Sequence, residues 1–480
     1  MTAVDTTSSA VDTPFILSRI AFGSCHSRGA LSKRMSKSNA TESPTIWDSI
    51  ASTVKPQTFL WTGDSIYPPT KSKGDAPLDV MQKEYQQMLH NKTLGYAQFL
   101  QEDDILIGGV HGTWDDHDYG GNDRGRELKE REERRDAYLD FLDVPKDSER
   151  WERKGVYGSI EFGEDISIDN DSNHLHDERS NNKVKVIFLD TRFHREKHCV
   201  PSVGSNPYVP YGALIACTTR WITAGLDLPS ILPSWTSCSN DSELLGEDQW
   251  KWLEQQLNES NASMHVVVSS IQVLTTNPVV ESWGHFPTER DRFLKLLNTV
   301  PGLVILSGDV HHAEISSTTQ RNNSMAAANK GALVEVTSSG LTHSCDEPFY
   351  GPLCKPILDA FPTHRFKGGN VKDQSAPSYF TSRNFGSIDI DWVSRLFRVH
   401  VHDDAGDVVL SAGFEMDTVA GMSDEDIMDV AKCIDGHIWP SLRYVAPFYM
   451  ACLFLFCLSL VYSRSNSMQQ NTNAKKSKRA

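Results

Sequence analysis

The stretch LVILSGDVHH, residues 303 to 312, runs through four apolar residues and then stops abruptly on Gly308, Asp309, His311 and His312. A segment that is hydrophobic throughout, without polar alternation, suits a strand buried on both faces, and its polar end marks where the strand opens into a loop. The same phrase recurs in RIAFGSCH (19–26), TFLWTGDSIY (58–67), ILIGGVHGTWDDHD (105–118), VKVIFLDTR (184–192) and HVVVSSIQV (265–273). Helical patterns lie between several of these runs. GEDQWKWLEQQL (246–257) sets Trp250, Leu253 and Leu257 on one face, and ERDRFLKLLNTV (289–300) does likewise. Alternating strands and helices imply an α/β sheet protein whose site forms where the strand ends open. The segment 386–416 alternates with period two around a turn at 403–406, and reads as an antiparallel hairpin closing the domain.

Composition narrows the function. The net charge of −16 argues against a nucleic-acid-binding surface, because phosphate backbones need basic ones. An acidic protein that handles anionic substrates needs local positive charge, and bound cations supply it. Neither a P-loop nor a dinucleotide-binding glycine fingerprint is found.

The chain ends carry separate expectations. Residues 1–17 read as disordered, 18–416 as the catalytic domain and 417–443 as an acidic juxtamembrane segment. YVAPFYMACLFLFCLSLVY (444–462) is uncharged and about the length of a bilayer-spanning helix, which predicts a single transmembrane helix over 444–463 and a basic tail over 464–480. Arg443 precedes the run, whereas Arg464, Lys475, Lys476, Lys478 and Arg479 follow it, so the tail should be cytosolic and the domain luminal or external. Seven N-x-S/T sequons and a closing KSKRA, which resembles an endoplasmic-reticulum retrieval signal, favour the secretory pathway. The first residues show no secretory signal, which leaves a tail-anchored cytosolic enzyme as the alternative. Cys345 and Cys354 bracket a short Pro/Gly loop that could close as a disulfide in an oxidising lumen, and Cys199, Cys217 and Cys238 could also pair.

The acids at the strand ends suggest the chemistry. Gly63-Asp64, Asp115-Asp116-His117 and Gly308-Asp309-Val310-His311 each place carboxylate or imidazole where a strand should end. Converging from separate strands, such groups can hold two cations that share a carboxylate, generate hydroxide near neutral pH and clamp a phosphate. Solvated turns would explain any one of them.

FGSC, WTGDSIY, TWDDHDYGGND, LDTR and SGDVHH, in that order, resemble the PhoD-like alkaline phosphatases and phosphodiesterases of the calcineurin-like metallophosphatase superfamily, from about Arg19 to Met416. The resemblance implies a β-sandwich flanked by helices in four αββα layers. It also implies a metallophosphoesterase acting on phosphomonoesters, phosphodiesters or both through a metal-bound hydroxide, with two or more ions, iron beside calcium. Carried over by position, Cys25 would ligate iron as a thiolate, Asp64 would bridge the ions and Tyr67 would bind as a phenolate. Asp116, Asp309 and His311 would complete the metal shells. His117 would contact the phosphate or protonate the leaving group, and Arg192 would clamp phosphate or, alternatively, pair with Asp190. His312 could be a ligand or a supporting or surface residue, and Asn122 a supporting or calcium-side group. Gln272 or Ser270 stands where the superfamily has another histidine. Asp115, Asp118 and Asp123 would orient loops. A non-catalytic binding or trafficking protein on the same fold is the alternative function, and the oligomeric state is left open.

Overall fold

The structure, a computed structural model, describes residues 15–32, 44–69, 75–102, 104–163, 181–198, 220, 242–318, 332–347, 351–362 and 364–431. It is a mixed α/β fold with two sheets and flanking helices. The six-stranded sheet has the order β13-β12-β11-β1-β2-β3. Its strands are β1 (Arg19–Gly23), β2 (Thr58–Thr62), β3 (Val110–Thr113), β11 (Asn384–Asp391), β12 (Leu396–Asp403) and β13 (Val408–Glu415). The seven-stranded sheet has the order β10-β8-β9-β7-β6-β5-β4. It contains β4 (Gly158–Phe162), β5 (Val184–Phe188), β6 (Met264–Val268), β7 (Leu303–Ser307), β8 (Ala313–Ser317), β9 (Val334–Ser338) and β10 (Tyr379–Phe380).

Side-chain alternation explains the unbroken apolar runs. Along β1 and β2, Ile20, Phe22 and Leu60 enter a core shared by both sheets, while Ala21, Phe59 and Trp61 enter a second core under the helices Leu78–His90 and Arg131–Phe141. Across the molecule Val266, Val268, Val304 and Leu306 enter the shared core, and Val267, Leu303 and Ile305 meet the helices Glu247–Asn258 and Pro287–Leu297. Each central strand is therefore covered on both faces, and both faces must be apolar.

Trp47 anchors the second core, with ring centroids 5.1 Å from Phe59, 4.8 Å from Tyr96 and 5.1 Å from Phe99. Its short helix is started by a capping box: the Asp48 N–H donates to Thr45 Oγ1 and the Thr45 N–H to Asp48 Oδ2.

Several expectations change. The hairpin expected over 386–416 is a three-stranded meander, because β11 also pairs antiparallel with β1. Leu17 is fully buried and Phe15 packs on Phe162, so the ordered domain starts before residue 18, and 1–14 lie outside the described residues. The segment 417–431 belongs to the domain: Thr418 O accepts from the Gly302 N–H, and Ile427 and Val430 of the helix Asp424–Ala431 are buried. Among the described residues no helix is long and apolar enough to cross a membrane. The expected spanning segment 444–463 and the basic tail lie outside them. Cys345 and Cys354 form a disulfide, with Cα atoms 5.7 Å apart. Cys199, Cys217 and Cys238 are outside the described residues.

Candidate metal centre

The centre is assembled at the C-terminal ends of the strands. Cys25 follows β1, Asp64 follows β2, Asp115 and Asp116 follow β3, and Asp309 and His311 follow β7. Two glycines let these ends approach. A Cβ on Gly63, whose φ is +104°, would sit 2.5 Å from the Asp115 Cβ, and one on Gly308 would sit 2.6 Å from Thr62 O. The next residues turn sharply. Cys25 (φ 63°), Asp64 (51°), Asp309 (70°) and His311 (59°) all adopt the left-handed region that side chains normally avoid. Four such residues around one point are strain of the kind that collects at functional sites.

The atoms meet closely. Tyr67 Oη donates to Asp64 Oδ2 at 2.6 Å and lies 3.2 Å from His311 Nε2. Cys25 Sγ is 3.6 Å from Asp64 Oδ2 and 3.0 Å from Ser339 Oγ. The His117 N–H donates to Asp64 Oδ1 at 3.2 Å, and its ring stacks on Tyr67 at 4.0 Å. Ligand atoms of Cys25, Asp64 and His311 lie within 4.8 Å of one another, as do those of Asp64, Asp115, Asp116 and Asp309, of Asp64, Asp116 and His117, and of Asp116, Asp123 and Glu281.

The electrostatics call for cations. Burial first, and then Asp116, Asp115 and Asp118, push Asp64 well above the usual carboxylate range. Burial first, and then Asp115, do the same to Asp309. Asp115 is raised to about 7 by burial, against the opposing pull of Arg192. The Cys25 thiol is pushed up by burial and then by Asp64. Burial lowers His311 to about 4 and lowers His117 as well. Buried Asp115 Oδ2 and Asp116 Oδ1 have no hydrogen-bond partner among the described residues. Orphan carboxylate oxygens beside a thiol, a phenol and neutral imidazoles are a donor set that fits metal ions.

Cys25, Asp64, Tyr67, Asp116, His117, Asp309 and His311 are thus brought together. Arg192 is placed differently from the expectation. Its guanidinium is fully buried and bonds Asp115 and, at 2.8 Å, Glu281, while Asp190 accepts backbone N–H groups of Arg192 and Phe193. The guanidinium is thus turned to Asp115 and Glu281, and Asp190 is not its side-chain partner.

Gln272 is buried and donates to Thr337 at 2.9 Å, and Ser270 donates to Asp115 Oδ1 at 2.7 Å, so neither takes an open ligand position. His312 turns away toward Val310 O and Glu314. Asn122 is exposed. Asp118 receives the Ser65 and Ile66 N–H groups at 3.1 Å and so fixes the loop after Asp64. Asp115 lies closer to the centre than loop orientation alone requires.

Glu281, Ser339 and His343 were not anticipated. The last two follow β9, whose sequence LVEVTSSGLTH (333–343) repeats the apolar run with a polar end. His343 Nε2 is 3.2 Å from His311 Nε2.

A family model described as PhoD-like phosphatase matches residues 40–401. A solved structure described as "Structure of PhoD" covers 88% of this chain and 78% of its own, at 15% identity and a TM-score of 0.46. The search of curated proteins gives no match.

Proposed function

Because the chain belongs to the PhoD-like phosphatase family, and is therefore a metal-dependent phosphoesterase, we propose that it hydrolyses phosphomonoesters, phosphodiesters or both at the strand-end cluster. The observation that carries this reading is the convergence of Cys25, Asp64, Asp309 and His311, all held in left-handed backbone, around unpartnered buried carboxylate oxygens. Cys25, Asp64, Tyr67, Asp116, Asp309 and His311 would hold two or more ions, iron at the thiolate and calcium among the oxygens. Bound there, the ions would activate water and neutralise charge on the phosphoryl group. His117 is half-buried, held by its bond to Asp64 and its stack on Tyr67, and assists the departing oxygen. Arg192 opposes the upward shift of Asp115 and holds that carboxylate in place.

The test is turnover of a chromogenic phosphomonoester and of a phosphodiester, with and without chelator. Chelation should abolish both activities. It should also lower the unfolding midpoint, since ions present at 100 to 1,000 times their Kd contribute about 3–4 kcal/mol. Full turnover in the presence of chelator, after dialysis, would sink the proposal.

The apolar run 444–462 and its basic flank further support a membrane-anchored enzyme with a luminal domain. Asn258, the last residue of the helix Glu247–Asn258, and Asn261 beyond it are exposed and open to glycosylation. Protease added to intact microsomes should then trim only residues after Ser463, and endoglycosidase should shift the band. Complete digestion of the domain, without glycan, would establish the cytosolic tail-anchored orientation.

A further inference from the structure

His343 is built into the centre, yet the ligand set does not account for it. The Leu341 N–H bonds Ser24 O at 3.1 Å, the Thr342 N–H bonds Cys25 O at 3.3 Å and the Cys345 N–H bonds His311 O at 2.8 Å. His343 is therefore threaded between two candidate ligands and cannot shift without disturbing both. Thr342 Oγ1 accepts the Ser27 N–H at 2.6 Å and donates to Cys25 O at 3.1 Å. Thr342 Oγ1 also lies 3.3 Å from His343 Nδ1 and so orients the ring. The opposite ring nitrogen, Nε2, points toward His311 Nε2 at 3.2 Å.

His311 would hold an ion through that nitrogen's lone pair, which leaves His343 Nε2, 3.2 Å away, beside the site where the ester would bind. His343 lies outside the group formed by Cys25, Asp64 and His311 within 4.8 Å, one layer beyond a first-shell position. Like His117 it is half-buried. The two imidazoles flank Tyr67, His117 stacked at 4.0 Å and His343 edge-on at 4.8 Å.

We propose that His343 is a catalytic residue whose Nε2–H donates a hydrogen bond to an oxygen of the phosphate ester held at the ions. This rests on the phosphoesterase reading of the same cluster. The test compares wild-type, His343→Ala and His343→Gln proteins for metal content, kcat and KM on a chromogenic phosphomonoester, and inhibition by inorganic phosphate. The alanine variant should keep its metals, lose about 10²-fold in kcat/KM and bind inorganic phosphate roughly tenfold more weakly. Added imidazole should restore part of the activity. Glutamine, whose amide nitrogen reaches near the Nε2 position, should retain phosphate inhibition.

Loss of metal from the alanine variant would make His343 a positioning residue and overturn the proposal. So would unchanged phosphate inhibition, whether or not activity falls. A wild-type protein that neither hydrolyses the ester nor binds phosphate would overturn the function itself, and His343's role with it.

Discussion

Replacing Asp64 by Asn is expected to lower kcat/KM for ester hydrolysis by on the order of 10³-fold, about 4 kcal/mol of transition-state stabilisation, while the protein stays folded. Asp64 belongs to all three of the ligand groups that contain Cys25, His117 or Asp309, and among the described residues no other joins the thiol side to the Asp116 side. Its two oxygens also organise the neighbours, one receiving the His117 N–H and the other the Tyr67 hydroxyl. An amide removes the negative charge and turns a donor toward the Tyr67 hydroxyl. In the absence of ions the substitution relieves repulsion, because Asp64 is a carboxylate pushed upward by burial and by Asp116, Asp115 and Asp118. The apo variant should therefore melt no lower than the apo wild type. Activity within tenfold of wild type would remove Asp64 from the centre.

Cys25→Ser is expected to remove one metal equivalent, together with any visible absorption that the thiolate confers, and to lower turnover by on the order of 10²-fold. The thiol is fully buried, with Ser339 Oγ at 3.0 Å and Asp64 Oδ2 at 3.6 Å, and burial followed by Asp64 pushes it upward. A cation alone can hold a thiolate in that place. Serine fits the space and accepts the same left-handed backbone, but its hydroxyl is a poor ligand while unionised. Unchanged metal content and colour would make Cys25 a core residue.

The strands were legible where the chain had to be apolar on both faces, as along Leu303–Ser307 and Met264–Val268. β8 was not, because its buried Glu314, Ser316 and Ser317 take polar partners: Glu314 pairs with Arg365, and the Ser317 N–H donates to His364 O. The helix Leu78–His90 also hides its face, since Glu84 sits among Met81, Tyr85 and Met88 and is neutralised by Arg28 at 2.6 Å. The helix Asp424–Ala431 was masked by Asp424, Glu425 and Asp426, which are exposed while Ile427 and Val430 point into the core.

In the centre, each residue that ends an apolar run was legible, since the motif fixes both chemistry and position. Arg192 was legible as a site residue but its role was not. Its partners Asp115 and Glu281 are 77 and 89 residues away, and only the fold shows that they enclose the guanidinium. His343 escaped because β9 was not recognised as another strand ending at the same place.

Elemental analysis of the purified full-length protein tests the central claim most directly. At least two metal equivalents per chain, one of them lost in Cys25→Ser and both depleted in Asp64→Asn, is the predicted result. A wild-type protein that hydrolyses phosphate esters at full rate without stoichiometric metal would contradict it.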